Sequence, residues 1–327
     1  MHWPLFEAFP ALARELDPLA LCELPTPVQA LPALGPNAWL KRDDISHPRY
    51  GGNKMRKLEF LAAEMRRRGA RRVYTLGATG TNAGVATALI CQELGLACTI
   101  FTFDQPASPL VAKNQARMRR HGARLVHVGP LWGAAAAWYL HPRRLDPHSY
   151  FLFAGGSNPV AVFGYVNAAF ELREQVRRGE CPLPAEIVVA AGSAGTLAGL
   201  TLGCALAGLA TRVVGVRVGT ARVGPFPACT PALVRRMMRQ AAGRMAAHGY
   251  AVEVPAVDLR DDWFGEGYGV TNEATERAIA CGAAQGIALE QTYTGKAFAA
   301  FLDRLALQPG PVMFWDTFNS RDDDAGR

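Results

Sequence analysis

In the stretch "RYGGNKMRKLEF" (49–60), a lysine opens a helix where an acid would be expected. Met55, Leu58, Leu61, Ala62 and Met65 fall at helical spacing, which predicts a helix beginning near Asn53. Its first turn carries Lys54, Arg56 and Lys57, although the partial positive charge of a helix N-terminus favours Asp or Glu there. A lysine that works as a nucleophile must lose its proton near neutral pH, and burial or a nearby positive field lowers its pKa. The helix end, with Arg56 and Lys57 beside it, supplies such a field. Gly51 and Gly52 leave room for a flat ring to lie against the backbone. A solvated surface charge is the competing reading of Lys54, and the lysine alone does not decide between the two.

Three further turns are rich in Gly, Ser, Thr and Asn, and each joins a strand pattern to a helix pattern. In "AAGSAGTLAGL" (190–200), Gly192 and Gly195 allow close backbone approach, and Ser193 and Thr196 add hydroxyls. The amides around Ala194 at the helix start converge on a point that suits a phosphate. The G-K-[ST] ending of a nucleotide-triphosphate loop is missing. "GATGTNAG" (77–84) offers Thr81 or Asn82 as helix cap. Its glycines miss the dinucleotide-binding spacing, and Asp104 lies further on than a ribose-binding acid should. "AGGSNPVAVFGY" (154–165) reads as an ordinary helix start, with Pro159 in the first turn behind Ser157 or Asn158 as cap. A lysine, a separate phosphate cup and a hydroxyl-rich turn together fit a pyridoxal-phosphate Schiff-base site.

The elements that must position these groups alternate along the chain. Apolar runs at 72–77, 97–103, 124–128, 149–156, 186–192, 212–218 and 311–315 are interleaved with helical patterns. That alternation predicts parallel sheets covered by helices on both faces, in two α/β units. "CPLPAE" (181–186) is the clearest break between them, and the tail "SRDDDAGR" reads as disordered. The chain has 327 residues, half of them hydrophobic, and a net charge of +7. Its basic residues are dispersed and form no aromatic-studded strip, which argues against nucleic acid as partner. The seven scattered cysteines form no C-x-x-C pair, so neither a disulfide framework nor a metal site is expected. With no secretory signal pattern and no membrane-length apolar run, a cytoplasmic protein without membrane contact is expected.

The stretch "WLKRDDISHPRYGGNKMRKLEFLAAE" resembles the lysine signature of the 1-aminocyclopropane-1-carboxylate deaminase and D-cysteine desulfhydrase family. The resemblance continues through "GATGTNAG", "GGSNPVAVFGY", "AAGSAGTLAGL", "EGYG" and "YTGKA", in family order and over nearly the whole chain. These are fold type II pyridoxal-phosphate enzymes, related to the tryptophan synthase β chain. The resemblance implies a large cofactor-binding domain, 1–54 and 166–327, and a small inserted α/β domain, 55–165; the break at 181–186 then becomes a linker. It implies that Lys54 carries the cofactor and shuttles the α-proton. Asn82 would bond the cofactor's phenolic oxygen, and Thr81 would stand where the family has a serine near the substrate. Gly192, Ser193, Ala194, Gly195 and Thr196 match the phosphate cup, and Tyr268 and Tyr293 match two tyrosines facing the substrate. A small amino-acid substrate and a homodimer are implied as well.

The chain departs from the family at Gly80–Ala83, where "QSNH" is usual, and at Asp316–Asn319, where "HTGG" is usual. In the deaminase branch a glutamate bonds the pyridine nitrogen; here that position is Thr294, with Thr317 offering a second hydroxyl and Glu290 out of register. A hydroxyl partner leaves the nitrogen nearly neutral, which suits α,β-elimination better than ring opening. The expectation is a lyase giving pyruvate and ammonia. A β-replacement synthase and a cofactor-binding paralogue without turnover are the rival readings, and the deaminase itself is disfavoured. The long segment 218–238 is expected to cover the site entrance, where Arg222 would meet either solvent or an anionic substrate group.

Overall fold

The computed structural model describes residues 3–223 and 226–322. Two sheets form the frame. The larger has six strands in the order Val28–Ala30, Ala38–Lys41, Val312–Trp315, Glu186–Ala191, Arg212–Arg217 and Asp258–Arg260. All neighbours run parallel except the first pair. The smaller is wholly parallel, in the order Arg124–His127, Ala97–Phe103, Arg72–Ala78 and Ser149–Phe151. "EIVVAA" and "VMFW" are buried at every position, as strands covered on both faces must be. The strands Val28–Ala30, Ala38–Lys41 and Asp258–Arg260 were not among the expected ones. They are short and flanked by prolines or charges, so pattern alone does not mark them.

The last strand, Val312–Trp315, enters between Ala38–Lys41 and Glu186–Ala191. Strand order therefore reverses there, and in open α/β sheets ligands sit at such a point, beyond the carboxyl ends of the strands. The carboxyl ends of Glu186–Ala191 and Val312–Trp315 lead directly into the predicted cup and into Asp316–Asn319.

Helix Asn53–Arg67 starts where periodicity predicted. In its first turn Arg56 and Lys57, expected to add to the field around Lys54 or to face solvent, are both buried. Arg56 donates to Asp43 from Nε at 2.9 Å and to Glu171 from Nη1 at 3.0 Å. Asp43 also accepts from Tyr165 and Trp315, and Glu171 accepts from Lys41 at 2.6 Å. Two cations thus meet two carboxylates, and the cluster ties the lysine helix to the large sheet and to helix Val162–Arg177. That helix begins later than expected. Asn158 accepts from the Val160 amide at 2.8 Å, and Ala161 stands at the cap position. Gly155 and Gly156 take φ of +68° and +66°, which turns the chain before the helix can start. Of the tail expected to be disordered, residues 323–327 lie outside the described residues.

Candidate active site

The loops at the switch point enclose a cavity of about 300 Å³. Lys54, Thr81, Asn82, Gly192, Ser193, Ala194, Thr196, Tyr268, Tyr293, Thr294 and Thr317 all line it. Of the expected site residues, Gly195 alone lies behind the wall, where it opens helix Gly195–Leu206.

Lys54 is partly exposed to this cavity and donates to Asn53 Oδ1 at 2.8 Å. Burial lowers its pKa to about 8. The cause differs from the expected positive field, since Arg56 is neutralised by Asp43 and Glu171. The two glycines before Lys54 also have a second role. A Cβ on Gly51 would lie 1.9 Å from the Asp44 carbonyl oxygen, and one on Gly52 2.7 Å from those of Thr317 and Phe318. Both therefore permit backbone-to-backbone contact beneath the lysine. The Asn53 amide donates to the Thr317 carbonyl at 3.1 Å, and Asn319 Oδ1 accepts from the Gly51 amide at 2.7 Å. Asp316–Asn319 is thus the floor on which the lysine turn rests.

The cup is built at a strained backbone. Ala194 takes φ +66°, an uncommon conformation for a residue with a side chain, and the Gly195 amide after it donates back to the Ser193 carbonyl at 2.8 Å. Ser157 donates its hydroxyl to the Ser193 carbonyl and so props the loop from outside. Asn53 Nδ2 donates to Thr196 Oγ1 at 3.0 Å, joining the lysine turn to the cup. Lys57 completes the arrangement. Its ammonium is buried, donates to the Gly155 carbonyl at 3.4 Å, and would lie 3.3 Å from a Cβ on Gly195. Burial and the neighbouring Lys54 push its pKa well down. A buried, nearly unsatisfied amine behind a helix N-terminus is kept protonated only beside an anion, so the residues present match a phosphate-bearing cofactor.

Thr81, rather than Asn82, caps helix Asn82–Glu93 and accepts from the Gly84 amide at 3.2 Å. Asn82 Oδ1 accepts from Tyr50 at 3.2 Å and from Asn114 at 2.8 Å, which fixes the side chain at the cavity wall. Tyr268 and Tyr293 share a hydroxyl–hydroxyl bond with their rings edge to face. Burial pushes Tyr268 up to about 12 and Tyr293 well above its ordinary value, so both stay protonated. Lys296 donates to the carbonyls of Phe264 and Gly267 and thereby holds the turn that carries Tyr268. Glu290 lines the cavity, yet its carboxylate accepts from the amides of Thr292, Tyr293 and Thr294. Thr294 Oγ1 bonds back to Glu290, while Thr317 stands at the same wall.

Gly219, Thr220, Pro227 and Ala228 from the 218–238 segment line the cavity, whereas Arg222 is exposed and outside the wall. Residues 224–225 of that segment lie outside the described residues. Sequence reading passed over Tyr50 and gave Asn53, Lys57 and Ser157 only local roles, as helix start, nearby charge and cap. The first three lie within seven residues of one another around Lys54, and that crowding was the available signal.

An amine on a buried helix end, facing an anion cup at the switch point of a parallel sheet, defines a fold type II pyridoxal-phosphate enzyme. Residues 19–316 match the family of pyridoxal-phosphate dependent enzymes, and the chain belongs to it. A D-cysteine desulfhydrase of Serratia proteamaculans (strain 568) is 34% identical over 298 residues, 87% of each chain. One of Salmonella schwarzengrund (strain CVM19633) is 32% identical over 91% of this chain and 93% of its own. The solved structure of a homologue of ACC deaminase superposes with a TM-score of 0.80 at 29% identity, covering 97% of this chain and 95% of the other.

Proposed function

We propose that the protein is a pyridoxal-phosphate-dependent lyase that carries out α,β-elimination on a small amino acid, releasing pyruvate and ammonia. The observation that carries this reading is the state of Glu290. Three backbone amides occupy the carboxylate that reaches the cavity, and hydroxyls of Thr294 and Thr317 complete that wall. Without a free carboxylate to keep the pyridine nitrogen protonated, the site suits elimination better than ring opening.

When bound, pyridoxal phosphate supplies an electron sink that acidifies the substrate's α-hydrogen. The 192–196 amides, Thr196 and the Lys57 ammonium would hold its phosphate, and Lys54 would hold it covalently. Freed by the incoming substrate amine, Lys54 Nζ takes the α-proton; a pKa near 8 leaves it a competent base at neutral pH. The Thr81–Ala83 turn receives the substrate carboxylate at the N-terminus of helix Asn82–Glu93. The hydrogen-bonded tyrosine pair offers a proton on the other side of the cavity.

The same reading divides the chain into a large domain, 1–54 and 166–327, around the six-stranded sheet, and a small one, 55–165, around the four-stranded sheet. It also makes the protein a cytoplasmic homodimer. Free cysteines support the compartment, and sedimentation tests the dimer. Among the described residues no helix is long and apolar enough to cross a membrane.

The test is purified holo-protein assayed with both cysteine enantiomers for pyruvate, with Lys54→Ala as control. The expected result is pyruvate from wild type, none from the variant, and loss of the visible cofactor band in the variant. Turnover by Lys54→Ala at the wild-type rate would overturn the assignment. Pyruvate formed only in the presence of a second nucleophile would move the protein to β-replacement.

A further inference from the structure

Toward solvent the cavity changes character. Its outer wall is made by Phe103, Leu131, Ala135, Tyr139, Phe153 and Pro227. Leu131, Ala135 and Tyr139 lie on one helix, Leu131–Tyr139, whose sequence "LWGAAAAWY" holds no charged residue. Tyr139 and Phe153 are 55% and 38% exposed, so the wall extends to the mouth. Among the described residues, Lys54 and Glu290 are the only lining side chains of a charged type. Lys54 is committed to the reaction, and Glu290 to the amides of Thr292–Thr294. A second carboxylate or a sulfonate on the substrate would therefore meet no cation at the outer wall and would lose its water uncompensated. An apolar group would gain by covering Phe103, Tyr139 and Phe153.

We infer that the preferred substrate is an amino acid with an apolar β-substituent larger than a thiol, and that cysteine thioethers are the class that fits. This rests on the elimination reading and concerns the outer part of the same cavity. The chemistry balances with water as the one co-reactant. Lys54 Nζ takes the α-proton, and the C–H electron pair becomes the Cα–Cβ double bond. The Cβ–S bond breaks with its pair on sulfur, which takes back the proton held on Lys54 Nζ and leaves as a thiol. The enamine that remains tautomerises and adds water to give pyruvate and ammonia.

The experiment uses holo-protein and a series of cysteine, S-methyl-, S-propyl- and S-benzylcysteine, in both enantiomers, together with cysteate. Binding is read from the change in cofactor absorbance, and turnover from pyruvate. The apparent dissociation constant should fall across the series by on the order of tenfold or more, with cysteate weakest. Ala135→Phe, which fills the wall, should shrink or reverse the preference for S-benzyl over S-methyl. Tightest binding of cysteine or cysteate by wild type would overturn the inference. So would an unchanged preference in an Ala135→Phe protein that retains the cofactor band. Binding that improves with size but yields no pyruvate would support the apolar wall and sink the elimination reading. Pyruvate from cysteine with no gain from larger substituents would do the reverse.

Discussion

Lys54 owes its chemistry to burial. Desolvation disfavours the ammonium and makes the neutral amine easier to reach. With its pKa lowered to about 8, the neutral fraction rises with pH and levels off above that value. In cofactor-free protein, uptake of pyridoxal phosphate should follow the same curve, with a midpoint near pH 8. A solvated lysine would give a midpoint above pH 10, at about 10.4. Lys57 works differently, as a buried amine that an anion beside Gly195 would hold in its charged form. Lys57→Met should remove a charged hydrogen bond worth about 1.5–3 kcal/mol. Cofactor affinity should drop by roughly ten- to a hundredfold on that basis, read as loss of the visible band during dialysis while far-ultraviolet circular dichroism stays unchanged.

At the scale of elements, the lysine helix is fixed by Arg56 as well as by its buried apolar stripe. The guanidinium reaches Glu171, 115 residues away, on helix Val162–Arg177. Burial alone would raise the Glu171 carboxyl, but Arg56 and Lys41 overcome it and hold the pKa at about 2, against an ordinary 4.5. A carboxylate held low in the folded state adds stability in full above its unfolded value, and that stability is lost as the pH falls through the folded one. Denaturant titrations should therefore show an acid-dependent loss between pH 4.5 and about 2. Glu171→Gln should lack that step and should be less stable at neutral pH by about 3–5 kcal/mol, because Lys41 loses its carboxylate partner and Arg56 one of its two.

For the whole molecule, the cup depends on how closely two helices approach. A Cβ on Gly199, in helix Gly195–Leu206, would lie 2.3 Å from Tyr165 Cβ and 2.6 Å from the Val162 carbonyl oxygen. The backbone of helix Val162–Arg177 therefore sits directly against the helix whose N-terminus forms the cup. Gly199→Leu should force them apart, at a cost of about 1–3 kcal/mol or more. Calorimetry should show a Tm lower by several degrees, at about 2–4 °C per kcal/mol. Cofactor binding should weaken as well, although residue 199 does not line the cavity. Unchanged binding at a lowered Tm would separate helix packing from cup geometry.

The sequence by itself determined the alternation of strands and helices, the start of the lysine helix at Asn53, the glycine-bearing cup at 192–196 and the kinship with pyridoxal-phosphate enzymes. These are local properties, set by periodicity, turn chemistry and short motifs. Tertiary structure decided what depends on distant neighbours. It buried Arg56 and Lys57 instead of leaving them in solvent, joined Asn53 to Thr196 and Ser157 to Ser193, and delayed the helix after Pro159 to Val162. It also occupied Glu290 with amides and lined the mouth with Phe103, Tyr139 and Phe153. Charge pairing and desolvation act through space between residues far apart in the chain. No reading of spacing along the chain can supply those contacts.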